Sequence, residues 1–116
     1  MVGNHQTKVV RGEVWLVALD PTVRVEIQKT RPCVVISPPE MHDHLRSFMV
    51  APMTTGSRPA GFRVPLTFQG TSGLILLDQI RTLDKSRLVK RLGTVNSSTL
   101  VKALRTLQLM FSSDGN

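Results

Sequence analysis

The sequence predicts a mainly β domain with appended α (α+β): a strongly bent antiparallel sheet or small barrel, closed by one amphipathic helix at the C-terminus. Six short stretches rich in β-forming residues follow one another at close spacing. The segments between them are mostly turns, too short to hold the crossover helices of a parallel α/β sheet. Helical periodicity is sustained only at the end of the chain. At 116 residues the polypeptide is large enough for a single core.

Residues 1–10 lack a pattern and predict a loose arm that orders on a partner. The first strand is placed at 12–19, with Val14, Leu16 and Ala18 on one face and Trp15, Val17 and Leu19 on the other. Both faces are apolar, so this strand is central and Trp15 belongs to the core. Asp20-Pro21-Thr22 signals a turn, and 23–30, carrying Arg24, Glu26, Gln28 and Lys29, is a polar loop or mobile hairpin. A second strand over 32–37 ends at Pro38-Pro39, a polar stretch covers 40–46, and a third strand covers 47–53. After a Gly- and Pro-containing loop, 62–68 alternates with Phe62, Val64, Leu66 and Phe68 inward; Pro65 makes it an edge strand. A fifth strand at 73–77 runs into Asp78, Gln79 and Arg81. A short helical turn at 84–88 and a last strand at 91–95 lead to a helix N-capped by Ser97 or Ser98. Leu100, Leu104, Leu107 and Phe111 form that helix's apolar stripe, opposite Lys102 and Arg105. Residues 112–116 are a polar tail, leaving 11–111 as the domain.

Fifteen Lys and Arg against eight Asp and Glu give a net charge of +7, which favours polyanions as partners. The cations are spread from Arg11 to Arg105, as on a folded basic face, and nucleic acid is favoured over a membrane surface. The chain has neither a bilayer-spanning apolar run nor a signal-peptide core, so a cytoplasmic protein is expected. Cys33 lies inside an apolar run and reads as a small buried side chain. His42-Asp43-His44 reads as a solvated loop instead of a metal site.

Polar residues bordering apolar strands carry the chemical signal. Arg31 precedes Pro32, which holds the arginine's backbone extended and aims its side chain from the mouth of a buried strand. Thr54 and Thr55 end the third strand. Arg31 can present a fork of donors to a phosphate, Thr54 can donate a hydroxyl to the same group, and Glu26 can accept a proton from a sugar hydroxyl. Such a set suits phosphodiester cleavage without a metal or other cofactor. From composition alone, a basic RNA-binding module without catalysis remains open.

Five segments taken together resemble the MazF/PemK (Kid) family of toxin endoribonucleases: Gly12-Glu13-Val14-Trp15, Leu19-Asp20-Pro21-Thr22, Glu26 five places before Arg31-Pro32, Ala51-Pro52-Met53-Thr54, and the run from Leu76 to Lys85. The resemblance implies an SH3-like barrel, a homodimer, and metal-independent cleavage of single-stranded RNA, chiefly mRNA, at short sequences. It also implies a cognate antitoxin whose acidic C-terminal segment blocks the RNA groove. In the family's reaction the ribose 2′-hydroxyl attacks the adjacent phosphate, leaving 2′,3′-cyclic phosphate and 5′-hydroxyl ends. Carried over, Arg31 is the principal catalytic cation, Thr54 its partner at the scissile phosphate and Glu26 the general base. Arg24, Lys29, Thr55, Asp78, Gln79 and Arg81 are the expected RNA-binding residues, with Asp78 and Gln79 mostly structural. Two departures stand out. The first loop reads Arg24-Val25-Glu26-Ile27 where many members have Gly-Ser-Glu-Gln, and Leu76 replaces the arginine of Kid-like members, so the Arg31/Thr54 scheme is preferred. A gyrase-directed toxin of the CcdB type, on the same fold, is the alternative from another class.

Overall fold

A computed structural model describes residues 7–19 and 30–113. Seven strands and two α-helices run in the order β1 (Glu13–Ala18), β2 (Thr30–Val35), α1 (Pro39–His42), β3 (Ser47–Thr54), β4 (Arg63–Phe68), β5 (Thr71–Leu76), β6 (Arg81–Asp84), β7 (Leu88–Thr94) and α2 (Ser97–Met110). All strand pairs are antiparallel, in the order β4-β5-β3-β2-β1-β7. β6 also pairs with β3, taking its first half while β5 takes its last two residues.

β1 is central, as its two apolar faces predict, and pairs with both β2 and β7. It separates two cores. On the inner face of the curled sheet Val14, Val34, Ala51, Met53, Val64, Leu66, Ile75 and Leu77 pack together with Ala103 of α2. On the other face Val9, Val17, Cys33, Val35, Phe48 and Val50 form a second cluster, flanked by Trp15, Leu19, Leu83 and Leu88. A buried aliphatic side chain stabilises such a core by roughly 1.5–3 kcal/mol. Val9, assigned from sequence to the loose arm, is therefore a core residue, and the Glu13 carboxylate accepts the N–H of Val10 at 2.9 Å.

The two ends of the sheet meet. β4 pairs only with β5, in agreement with the edge position that Pro65 predicts. At the tip of the β4–β5 hairpin, Gln69 Nε2 donates to the Leu92 carbonyl of β7 at 2.8 Å. A Cβ at Gly93, where φ is 155°, would stand 3.1 Å from the Phe68 ring, so glycine lets the two elements approach. The sheet is thus curled far enough for its outer strands to touch.

Several local expectations are corrected. Residues 81–84 form a strand and β7 starts at Leu88, ahead of the expected 91, because ladder bonds to β3 and β1 order these polar stretches. The N-cap of α2 is Asn96, whose side chain accepts the Thr99 N–H at 2.9 Å; Ser97 is the first helical residue. Phe111 ends the apolar periodicity yet is 72% exposed, beyond the last turn that packs on the sheet. Phe62 is exposed as well, with the Arg63 guanidinium 5.6 Å from its ring centroid. The stretch after Pro38 contains the single turn α1, and His42 is not solvated: it is 1% exposed. Ser37 Oγ lies 2.8 Å from His42 Nδ1 and accepts the Met49 N–H at 3.1 Å, so its hydroxyl proton is available to Nδ1. Lys85 Nζ donates to the His42 carbonyl.

Candidate active site

Arg31 lies on β2 two residues before Cys33, on the same face of the strand. The β2–β3 ladder pairs Cys33 with Pro52 and Val35 with Val50, so Arg31 and Thr54 lie two residues past its end on adjacent strands. Arg31 is exposed, and its guanidinium makes no hydrogen bond or ion pair among the described residues. Thr54 Oγ1 accepts the Gly56 N–H at 3.2 Å, which fixes the side chain and leaves its hydroxyl proton free to donate.

Behind this pair lies a cavity of ≈ 400 Å³ at the mouth of the curled sheet. Arg31, Thr54 and Thr55 all line it; Asp78, Gln79 and Arg81 do not. Glu26, Arg24 and Lys29 lie outside the described residues. Gly73 of β5 lines the cavity too, and its hydrogen is structurally required: a Cβ there would sit 2.6 Å from the Thr54 carbonyl oxygen. Glycine at 73 lets β5 lie close enough to hold the end of β3.

Asp78 has a partner of its own. It occupies a 3₁₀ turn, Leu77–Gln79, that interrupts the strand pairing with β3 between β5 and β6. Arg63 Nε and a terminal guanidinium nitrogen donate to its two oxygens at 3.2 and 3.0 Å, while another guanidinium nitrogen donates to the Arg58 carbonyl at 3.0 Å. The Arg63 hydrogen bonds hold the Asp78 carboxyl below the usual range despite partial burial. This geometry pins the turn to β4 and the preceding loop. Arg81 donates to the Leu19 carbonyl at 3.1 Å, and Arg87 to that of Ala18 at 3.1 Å, so both hold the end of β1.

Two other titratable groups are structural. Burial pushes the Cys33 thiol up to about 12 against the opposing charges of Arg81 and Arg31, and a protonated buried thiol is no nucleophile. Burial also pushes the Glu13 carboxyl up, but hydrogen bonds from Trp15 Nε1, the Val10 N–H and Arg91 outweigh it, and the group sits below its usual value.

The cavity also contains residues that sequence reasoning missed: Phe68, Gln69, Thr71, Ser72 and Leu92. One signal was available. Gln69-Gly70 lies between two stretches of β-forming residues, as a two-residue hairpin loop would.

Residues 10–111 match the family of PemK-like, MazF-like toxins of type II toxin-antitoxin systems. The chain belongs to that family. It is 40% identical over 114 residues to the endoribonuclease PemK of Escherichia coli, an alignment covering 93% of this chain and 86% of PemK. It is 30% identical over 105 residues to the endoribonuclease MazF of Staphylococcus epidermidis, covering 85% and 88%. Among solved structures, MazF from Deinococcus radiodurans superposes with a TM-score of 0.71 at 25% identity, covering 86% of this chain and 93% of that one. A mycobacterial endoribonuclease in complex with its cognate antitoxin has the same fold, with a TM-score of 0.74 at 24% identity and coverage of 87% and 92%.

Proposed function

We propose that this toxin is a sequence-specific endoribonuclease that cleaves single-stranded RNA, mRNA in particular, through attack of a ribose 2′-hydroxyl on the adjacent phosphate. The observation that carries this reading is that Arg31 and Thr54 line the same cavity, with the guanidinium unengaged by other described residues. The family membership and the two relatives named endoribonucleases support it over a gyrase-directed toxin or a binding module without catalysis.

Arg31 and Thr54 act on charge that grows during the reaction. Attack turns the phosphate into a phosphorane with more negative oxygens, and donors fixed beforehand stabilise that state more than the ground state. Arg31 donates two parallel N–H bonds and also faces the departing 5′-oxygen; Thr54 donates one O–H from a position set by Gly56. Glu26 is the proposed base: it takes the proton of the 2′-hydroxyl as the 2′-oxygen bonds to phosphorus, and the P–O5′ bond then breaks as the departing oxygen, beside Arg31, takes up a proton to leave as the 5′-hydroxyl. Arg24, Lys29, Thr55, Asp78, Gln79 and Arg81 are proposed contacts to the rest of the RNA, Asp78 and Gln79 chiefly through the turn they form. No metal or organic cofactor takes part in this scheme. The proposed partners are RNA, a second copy of the chain, and an antitoxin whose acidic segment competes with RNA for the cationic site. The proposed compartment is the cytoplasm, where mRNA is met; no helix among the described residues is long and apolar enough to cross a membrane.

The test is cleavage of a long single-stranded RNA in EDTA by the wild type and by Arg31→Ala. The wild type cuts at discrete sites, and the variant loses at least about 100-fold in rate, as for removal of a preorganised donor to a developing oxyanion. Intact RNA with the wild type, or equal cutting by both proteins, contradicts the reading.

A further inference from the structure

The ≈ 400 Å³ cavity is larger than a phosphate group fills, and its lining is divided by polarity. Its apolar part is Met53, Leu66, Phe68 and Leu92. Thr55, Thr71 and Gln69 supply neutral polar side chains to the lining, while the Ser72 hydroxyl lies 3.1 Å from that of Thr67 on the other face of the hairpin. Among the described residues of the lining, Arg31 is the one that carries a charge. An occupant matched to these features is a flat, neutral, partly apolar group with hydrogen-bonding edges, attached to an anion. A nucleotide has that division between base and phosphate.

Gln69 is the second observation. The β4–β5 hairpin is closed by two residues, Gln69 with φ 52° and Gly70 with φ 81°, between the paired Phe68 and Thr71. Two consecutive positive φ values are the type I′ pattern, which favours Asn, Asp or Gly at its first central position. A longer side chain there is held in a backbone conformation that costs on the order of one hydrogen bond. Glutamine has the reach to bond the Leu92 carbonyl through Nε2. That bond uses one amide hydrogen; Oε1 and the second amide hydrogen make no other bond among the described residues, and Gln69 is part of the cavity lining.

Given the endoribonuclease reading on which this depends, we propose that the cavity is a nucleobase subsite for a nucleotide flanking the scissile phosphate, and that Gln69 and Thr71 read the edge of that base. Apolar contact supplies affinity for any base, and the polar groups discriminate, because a wrong edge leaves a donor or acceptor unpaired. Gln69 has a further part: its bond to β7 holds the hairpin tip in place and so keeps the cavity's width fixed.

The test is sequencing of cleavage ends from a randomised RNA pool cut by the wild type, Gln69→Asn, Thr71→Val and Arg31→Ala. Asparagine suits the turn but is one methylene too short for Leu92; valine keeps the volume of threonine without its hydroxyl. The expected result is that both variants still cut, by the Arg31-dependent reaction, but lose about tenfold in discrimination at one base position next to the cut, the same position in both. If both keep the wild-type preference at every position, or if each alters a different, distant position, the subsite is refuted while the endoribonuclease reading stands. If the wild type yields no ends, the endoribonuclease reading fails first and the subsite with it. Circular dichroism melts of both variants separate a changed cavity from an unfolded hairpin: a preference change with an intact melt supports the subsite, and one seen only in a protein that has lost its melt overturns it.

Discussion

Arg31 and Thr54 stand on neighbouring strands just past the last paired residues of the β2–β3 ladder, and both line one cavity. A one-residue slip of β2 against β3 would turn Arg31 to the opposite face, so the chemistry depends on the β2–β3 ladder as much as on the arginine. His42 shows the same dependence for stability. Burial, together with the nearby charge of Lys85, lowers its pKa from the ordinary 6.5, outweighing the attraction of Asp43. The unfolded chain binds a proton as pH falls through that ordinary value, while the folded chain resists it. Stability is therefore full above about pH 6.5 and declines as pH falls from there toward the lowered folded value. Thermal melts from about pH 7.5 to about pH 5.5 should show Tm falling for the wild type and a flatter profile for His42→Gln. A wild-type Tm constant over that range would contradict the assignment.

At the scale of elements, β5 controls the site through Gly73. A methyl at that position would meet the Thr54 carbonyl at 2.6 Å, against backbone that cannot yield by a side-chain rotation. Gly73→Ala should push β5 from β3, lower stability by about 1–3 kcal/mol as overpacking does, and reduce cleavage beyond what the stability loss explains. Denaturant unfolding and single-turnover cleavage, measured side by side, check both effects; an unchanged rate would show that Thr54 tolerates the shift. Much at this scale was legible in the sequence. The two apolar faces of 12–19 mark a central strand, Pro65 an edge, and Leu100, Leu104 and Leu107 a helix on the sheet. What was hidden depends on tertiary contact. β6 is a four-residue strand ordered only by its ladder to β3, and the burial of Val9 and His42 is set by segments distant in the chain. Gln69 was overlooked because its contact with Leu92 spans 23 residues, across a curl that alternation patterns do not encode.

The whole molecule adds a field to the local site. Its net charge is +7, and several carboxylates are already committed: Asp78 to Arg63, Asp84 to Arg46 and Glu13 to Arg91. The surplus cations should attract RNA irrespective of sequence and leave discrimination to the cavity. Affinity for an uncleavable RNA should fall by about an order of magnitude or more between 50 and 200 mM salt, as expected when roughly three phosphates release their counterions on binding. A flat salt response in a filter-binding titration would contradict this division of labour. The central claim, that Arg31 and Thr54 stabilise attack by the substrate's own 2′-hydroxyl, is tested most directly by a short RNA with a single 2′-deoxy nucleotide on the 5′ side of the cut. The account predicts that the all-ribose RNA yields a 2′,3′-cyclic phosphate and a 5′-hydroxyl in EDTA while the substituted RNA stays whole; cleavage of the substituted RNA at the same bond would contradict it.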